Sequence, residues 1–193
     1  SRLQGTTKGR GQMTAVGLGQ DETLALLDEL GLGETLVIAG INSHRGITLA
    51  GAPDDLDQFE ARLTARQVFF RRLDLDYAFH SPAMDPIEAE IHQVLASLTP
   101  AAGKIPLFST VTGGKLPGKR LNATYWWRNI REPVLFEPAI KAILAEGINC
   151  FIEIGPHFVL QGYLNDCLKD QGSEGRVVRT LARDDDSPER IWA

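Results

Sequence analysis

Apolar and polar residues follow two different rhythms along this chain, and the change-over falls at residue 80. Residues 13–79 read as a compact unit. "MTAVGL" is a short apolar strand. "DETLALLDELG" is a helix with Leu24, Leu27 and Leu30 inward and Gly31 as its stop. "TLVIAGINSHRGITLAG" reads as two strands around the polar turn "NSHRG". "APDDLDQFEARLTARQ" opens on a proline and an acidic first turn and carries Leu56, Phe59 and Leu63 at helical spacing. "VFFRRLDLDYAF" closes the unit as a strand. The resulting order, β-α-β-β-α-β, predicts a ferredoxin-like unit.

Beyond His80 the period turns helical. Asp85, Pro86 and Glu88 predict a helix start with Asp85 as its cap, running to about Leu98. "KIPLFSTVTG" reads as a strand, "GKLPGKRLNA" as a turn-rich connection and "PAIKAILAEG" as a helix ending at Gly147. "NCFIEIG" reads as a buried strand, and "FVLQGYLNDCLKD" as a helix with Leu160, Leu164, Cys167 and Leu168 inward. Alternating strands and helices make the fold class α/β. Residues 80–175 supply too few strands for a stable sheet of their own, so the others are expected upstream of Ser1. Residues 1–12 are polar and glycine-rich and read as a linker without a signal peptide. Residues 176–193 read as a short strand followed by an exit linker, with "RDDDSPER" a solvated charge run.

Composition narrows the function classes. A net charge of −5, with arginines scattered or paired with acids, argues against a nucleic-acid partner. No apolar run reaches the roughly 20 residues of a membrane span. Cys150 and Cys167 fall in apolar patterns and read as buried thiols of a reducing, cytoplasmic protein. His44, His80, His92 and His157 have no metal-ligand spacing. His44 and His92 read as exposed. His157, between a strand and a helix in "GPHF", reads as a packing or supporting residue. Tyr125, Trp126 and Trp127 lack basic companions and read as packing.

"YAFHSPAMDPI", "PLFSTVTGG", "YWWRNIREPVLFEPAI", "FIEIGPHFVL" and "RTLARDDD" occur in order, and together they resemble the C-terminal portion of the acyltransferase domain of type I polyketide synthases. That domain is related to malonyl-CoA:acyl carrier protein transacylases. The resemblance implies an α/β-hydrolase-like subdomain into which the ferredoxin-like subdomain is inserted. It also implies ping-pong chemistry: an elbow serine takes an acyl group from acyl-CoA and passes it to the phosphopantetheine thiol of an acyl carrier protein. The domain itself binds no cofactor. Its partners are acyl-CoA, the acyl carrier protein, the upstream part of the same domain and neighbouring synthase domains, with no nucleic acid or membrane. Carrier proteins are commonly acidic, so the docking face is expected to include basic residues.

Within this resemblance His80 is the general base, and the orienting backbone carbonyl is best matched by Asn129 in "WRNIREP". Tyr77, Ala78 and Phe79 shape the acyl pocket, and Asn42 lies in a loop facing the cleft, as a substrate contact or a plain turn residue. "YASH" accompanies methylmalonyl and "HAFH" malonyl in the family, so "YAFH" is a hybrid. The bulk of Phe79 beside the α-carbon favours malonyl, a preference of ~1–3 kcal/mol. None of the seven serines lies in a G-x-S-x-G string, and "QGSEG" around Ser173 is the nearest miss. The nucleophile is therefore expected upstream. The alternatives are a non-catalytic scaffold or docking remnant of a megasynthase, and a small binding module using the "GPH" turn as an anion site.

Overall fold

The computed structural model describes residues 2–180. β1 (Gln12–Val16), α1 (Gln20–Leu30), β2 (Leu36–Ser43), β3 (Gly46–Gly51), α2 (Pro53–Ala65) and β4 (Phe70–Arg72) follow in that order. The sheet order β4-β1-β3-β2 is antiparallel throughout, which is the ferredoxin-like arrangement. α1 begins where the Gly19 N–H donates to Glu22 and ends at Gly31, whose φ of 68° no bulky residue adopts easily. Its inward stripe is Thr23, Leu26 and Leu27, and Leu24 faces solvent, contrary to the predicted face. Thr23 tolerates burial because its hydroxyl donates to the Gly19 carbonyl at 2.8 Å. Leu56, Phe59 and Leu63 of α2 are fully buried against Leu26, Leu36, Ile47 and Leu49. Arg72 ties β4 to α2 through Asp57 and Glu60 at 2.6 and 2.7 Å.

β4 is only three residues long, where the alternation predicts a strand to residue 79. β1 ends at Gln12, so its partner runs out of ladder. The Leu73 N–H still bonds to the Met13 carbonyl, the Leu75 N–H turns back to the Leu73 carbonyl, and further along the Gly9 N–H reaches across to the Asp76 carbonyl.

The remaining chain is less regular. A 3-10 turn (Pro82–Ile87) leads into α3 (Glu88–Val94), and its cap is Ser81, not Asp85. β5 (Phe108–Ser109) and β6 (Gly114–Lys115) form a minimal hairpin where a longer strand is predicted. A 3-10 turn (Gly118–Arg120) precedes α4 (Ala123–Arg131), which the hydrophobic pattern does not announce. Asn122 caps it, and of its three consecutive aromatic residues only Trp127 is buried. β7 (Val134–Leu135) joins the first sheet as a fifth strand, parallel to β2. α5 (Phe136–Ala145), β8 (Cys150–Glu153), α6 (Gln161–Asp170) and β9 (Arg176–Arg179) complete the described chain, with β8 and β9 parallel.

α5 and α6 share a core of Phe136, Ile140, Leu164 and Cys167. α6 lies on the β2–β3 hairpin, where a Cβ on Gly46 would meet the Tyr163 ring at 2.7 Å. β8, predicted as buried, alternates between exposed and half-buried, with Cys150 and Ile152 exposed. No described helix is long and apolar enough to cross a membrane. The "RDDDSPER" run lies outside the described residues.

Candidate active site

His80 stands at a corner of the chain. Ala78 is buried beneath it, and the Ala78 carbonyl accepts the Ser81 hydroxyl at 2.6 Å. The same Ser81 oxygen accepts the Ala83 N–H at 3.2 Å, so the 3-10 turn begins at once. His80 itself has φ 59°, a left-handed conformation that costs a non-glycine residue about 1–3 kcal/mol and persists only when its surroundings enforce it.

Those surroundings are the C-terminal end of α4. The His80 N–H donates to the Ile130 carbonyl at 3.1 Å, and Nδ1 lies 2.9 Å from the Glu132 carbonyl. A carbonyl oxygen only accepts, so Nδ1 carries the hydrogen and Nε2 keeps its lone pair. The carbonyl that Nδ1 meets is thus that of Glu132 and not of Asn129, a correction to the expected partner. Asn129 lies inside α4, on a groove beside Leu3, Ile91 and Trp126. The sequence signal for Glu132 was Pro133. The residue before a proline is driven out of the α region, so the helix has to stop there and its last carbonyls stay unclaimed.

The seat is braced from both sides. Arg128 Nε reaches both Glu132 carboxylate oxygens at 2.7 and 2.8 Å, and Arg131 pairs with Asp85 across to the 3-10 turn. Burial pushes the imidazole below its ordinary value of 6.5, partly opposed by the hydrogen bond to Glu132.

Tyr77 and Phe79 stack with ring centroids 4.9 Å apart and planes 9° apart. Phe79 also touches two apolar clusters, one holding Met13, Ala39, Ala50 and Ala78, the other Met84, Ile87, Ile91 and Trp127. Its ring is therefore fixed on several sides. Asn42 is not a loop residue: it lies in β2, and its side-chain amide donates to Thr48 Oγ1 at 3.0 Å.

The other sequence candidates lie elsewhere or are inert. His44 is exposed, and His92 is half-buried, 3.9 Å from Glu88. His157 is exposed against Phe158, and α6 begins only at Gln161, so it does not open that helix. Desolvation raises the Cys167 thiol to about 12, which keeps it protonated. Among the described residues no three His, Cys, Asp or Glu side chains cluster as metal ligands. Ser81, the hydroxyl next to His80 in the chain, is buried and already committed to Ala78 and Ala83. The arrangement is a seated imidazole whose Nδ1 is committed to the Glu132 carbonyl.

Comparison with known proteins gives this histidine a context. Residues 1–191 match the acyl transferase domain family. The polyketide synthase GfsE of Streptomyces halstedii is 36% identical over all of this chain, which spans 5% of that protein's length. The acyltransferase domain from module 8 of the salinomycin polyketide synthase superposes with a TM-score of 0.93 at 31% identity. That match covers 99% of this chain and 45% of the solved one. A loading acyltransferase of the avermectin synthase gives 0.90 at 33% identity, covering 99% and 60%. With a family match over residues 1–191 and the described fold in agreement, this chain belongs to the acyl transferase domain family.

Proposed function

We propose that this chain is the base-bearing part of a cytoplasmic polyketide synthase acyltransferase, working with a serine nucleophile supplied from outside its 193 residues. The serine attacks the thioester of acyl-CoA while His80 Nε2 takes its proton, and the imidazolium returns that proton to the departing CoA thiolate. The acyl-serine then meets the phosphopantetheine thiol of an acyl carrier protein. His80 takes the thiol proton and gives it back to the serine as the acyl group leaves. The observation that carries this reading is the bond from Nδ1–H to the Glu132 carbonyl, which selects the tautomer whose Nε2 can act as base. Burial adds to it by lowering the imidazole below its ordinary value of 6.5, which favours the neutral ring.

The acyl group is malonyl in preference to methylmalonyl. Phe79, wedged between two apolar clusters and stacked on Tyr77, cannot swing aside for an α-methyl without losing those contacts. The discrimination is ~1–3 kcal/mol, about 10- to 200-fold.

Intact-protein mass spectrometry on the natural polypeptide that carries this segment, offered malonyl-CoA and methylmalonyl-CoA together, tests both statements. A malonyl adduct on the parent and a loading rate lower by roughly 10²–10⁴ in His80→Ala is the expected result. A methylmalonyl adduct keeps the transferase and removes the role given to Phe79. A folded protein that takes neither group, or a His80→Ala variant that loads normally, ends the reading.

A further inference from the structure

One stretch of the chain is charged unlike the rest. Residues 91–131 hold six of the 20 Lys and Arg and none of the 25 Asp and Glu, in a protein of net charge −5. The expectation of arginines scattered or paired with acids, with no basic stripe, does not hold over this stretch. Lys115, Arg128 and Arg131 find Glu146, Glu132 and Asp85. Lys104, Lys119 and Arg120 are exposed, and none makes an ion pair among the described residues.

The fold gathers these cations. A Cβ on Gly118 would stand 2.7 Å from the Ala101 carbonyl oxygen and 2.8 Å from the Gly103 nitrogen, so only glycine lets the 101–103 backbone cross there. The Leu116 N–H bonds to the Leu107 carbonyl at 2.8 Å beside the same crossing. The outcome is a groove of about 490 Å³ lined by Lys104, Lys115 and Lys119, with Ile105, Pro106 and Pro117 between them. Ile105 is 83% exposed. Arg120 follows Lys119 directly, and α4 starts three residues later. The groove and the His80 seat therefore lie at opposite ends of one nine-residue helix, about 14 Å long at 1.5 Å per residue.

Unpaired like charges repel, and an anionic partner relieves that repulsion. The exposed isoleucine between lysines indicates what kind of partner. A site for a lone phosphate presents charge-assisted donors, whereas a protein-docking face sets an apolar contact inside a polar rim. We propose that this groove receives an acidic face of the acyl carrier protein and aligns it so that the phosphopantetheine arm runs along α4 to His80. The inference rests on the acyl-transfer reading above.

The test uses the natural polypeptide carrying this segment, its K104E/K119E/R120E variant, and the holo acyl carrier protein of the same synthase. Self-acylation from malonyl-CoA and transfer to the carrier protein are measured separately. Expected are self-acylation within about twofold of the parent, and a carrier-protein KM raised about tenfold or more with kcat little changed. The parent's KM should also rise more steeply with salt than the variant's. K104Q/K119Q, which removes charge without adding repulsion, should shift KM the same way by a smaller factor. An unchanged carrier-protein KM overturns the proposal. So does a raised KM for malonyl-CoA in self-acylation, which would give the groove to the phosphates of CoA. A parent that does not acylate itself counts against the acyl-transfer reading instead. Direct titration of carrier protein into parent and variant then decides the groove, and equal affinities overturn it.

Discussion

Residues 12–72 and residues 80–180 use the same kinds of element but close in opposite ways. The first set folds four strands and two helices around a main core, in which Leu56, Phe59 and Leu63 have no exposed surface, with a smaller cluster holding Met13, Ala39 and Ala50. The second spreads three short strand pairings and four helices over two smaller clusters and leaves Val94, Ile105, Ile152 and Ile154 largely exposed. The catalytic candidate belongs to the second set and sits on its boundary with the first. A self-contained core serves as a platform, while His80 is held by bonds to a single helix end.

The comparison breaks most easily at Phe59. Phe59→Ala should cost about 3–5 kcal/mol in urea unfolding, and a loss under about 1 kcal/mol would mean that the first core is not the main source of stability. Gly51→Ala comes next. Its Cβ would stand 2.5 Å from Leu36 Cδ2 and 2.6 Å from the Thr35 carbonyl oxygen, and the clash should cost about 1–3 kcal/mol.

Arg131→Ala should change stability by no more than about 1 kcal/mol, because Asp85 is half-exposed, yet it loosens the His80 seat. Several-fold slower loading at near-normal stability is the expected signature, and equal loading would take the clamp out of the mechanism. Ile154→Ser should be the mildest, within about 0.5 kcal/mol in this chain, because the side chain is already 85% exposed.

Acidity separates the platform from the seat. Since burial lowers the His80 value below 6.5, the acidic limb of the loading rate should fall below that pH. The unfolded chain takes up the proton more readily, so His80 contributes stability above about pH 6.5 that is lost as pH falls through its folded value. His80→Asn should flatten that part of the stability curve, while Phe59→Ala leaves its shape unchanged.

The division also explains what could be read from the residues alone. Each element of residues 12–65 carries its own local signal. Gly31 stops a helix, Pro53 opens one, and the polar "NSHRG" turn separates two apolar runs. The α/β class was legible for the same reason, whereas His80 stood out only through the resemblance carried by "YAFHSPAMDPI". α4 was not, because its neighbouring aromatic residues obscure the helical period and its register is set by packing on Met84, Ile87 and Ile91. Missing that helix moved the orienting carbonyl from Glu132 to Asn129. Cys150 and β8 were expected to be buried because "CFI" is apolar, but apolar character does not say what will cover a strand. The acid-free run 91–131 was visible in the sequence all along, but only the crossing at Gly118 makes three of its cations neighbours.

The left-handed turn at His80 has a consequence for recombining domains of this kind. Its two carbonyl partners come from Ile130 and Glu132, fifty residues and more further on. The tetrad Tyr77–His80 is therefore one half of a joint whose other half is the end of α4. A graft that transplants the tetrad alone inherits a host's hinge with a guest's pin. Chimaeras that carry 77–85 and 128–133 together keep the imidazole aimed as this chain aims it.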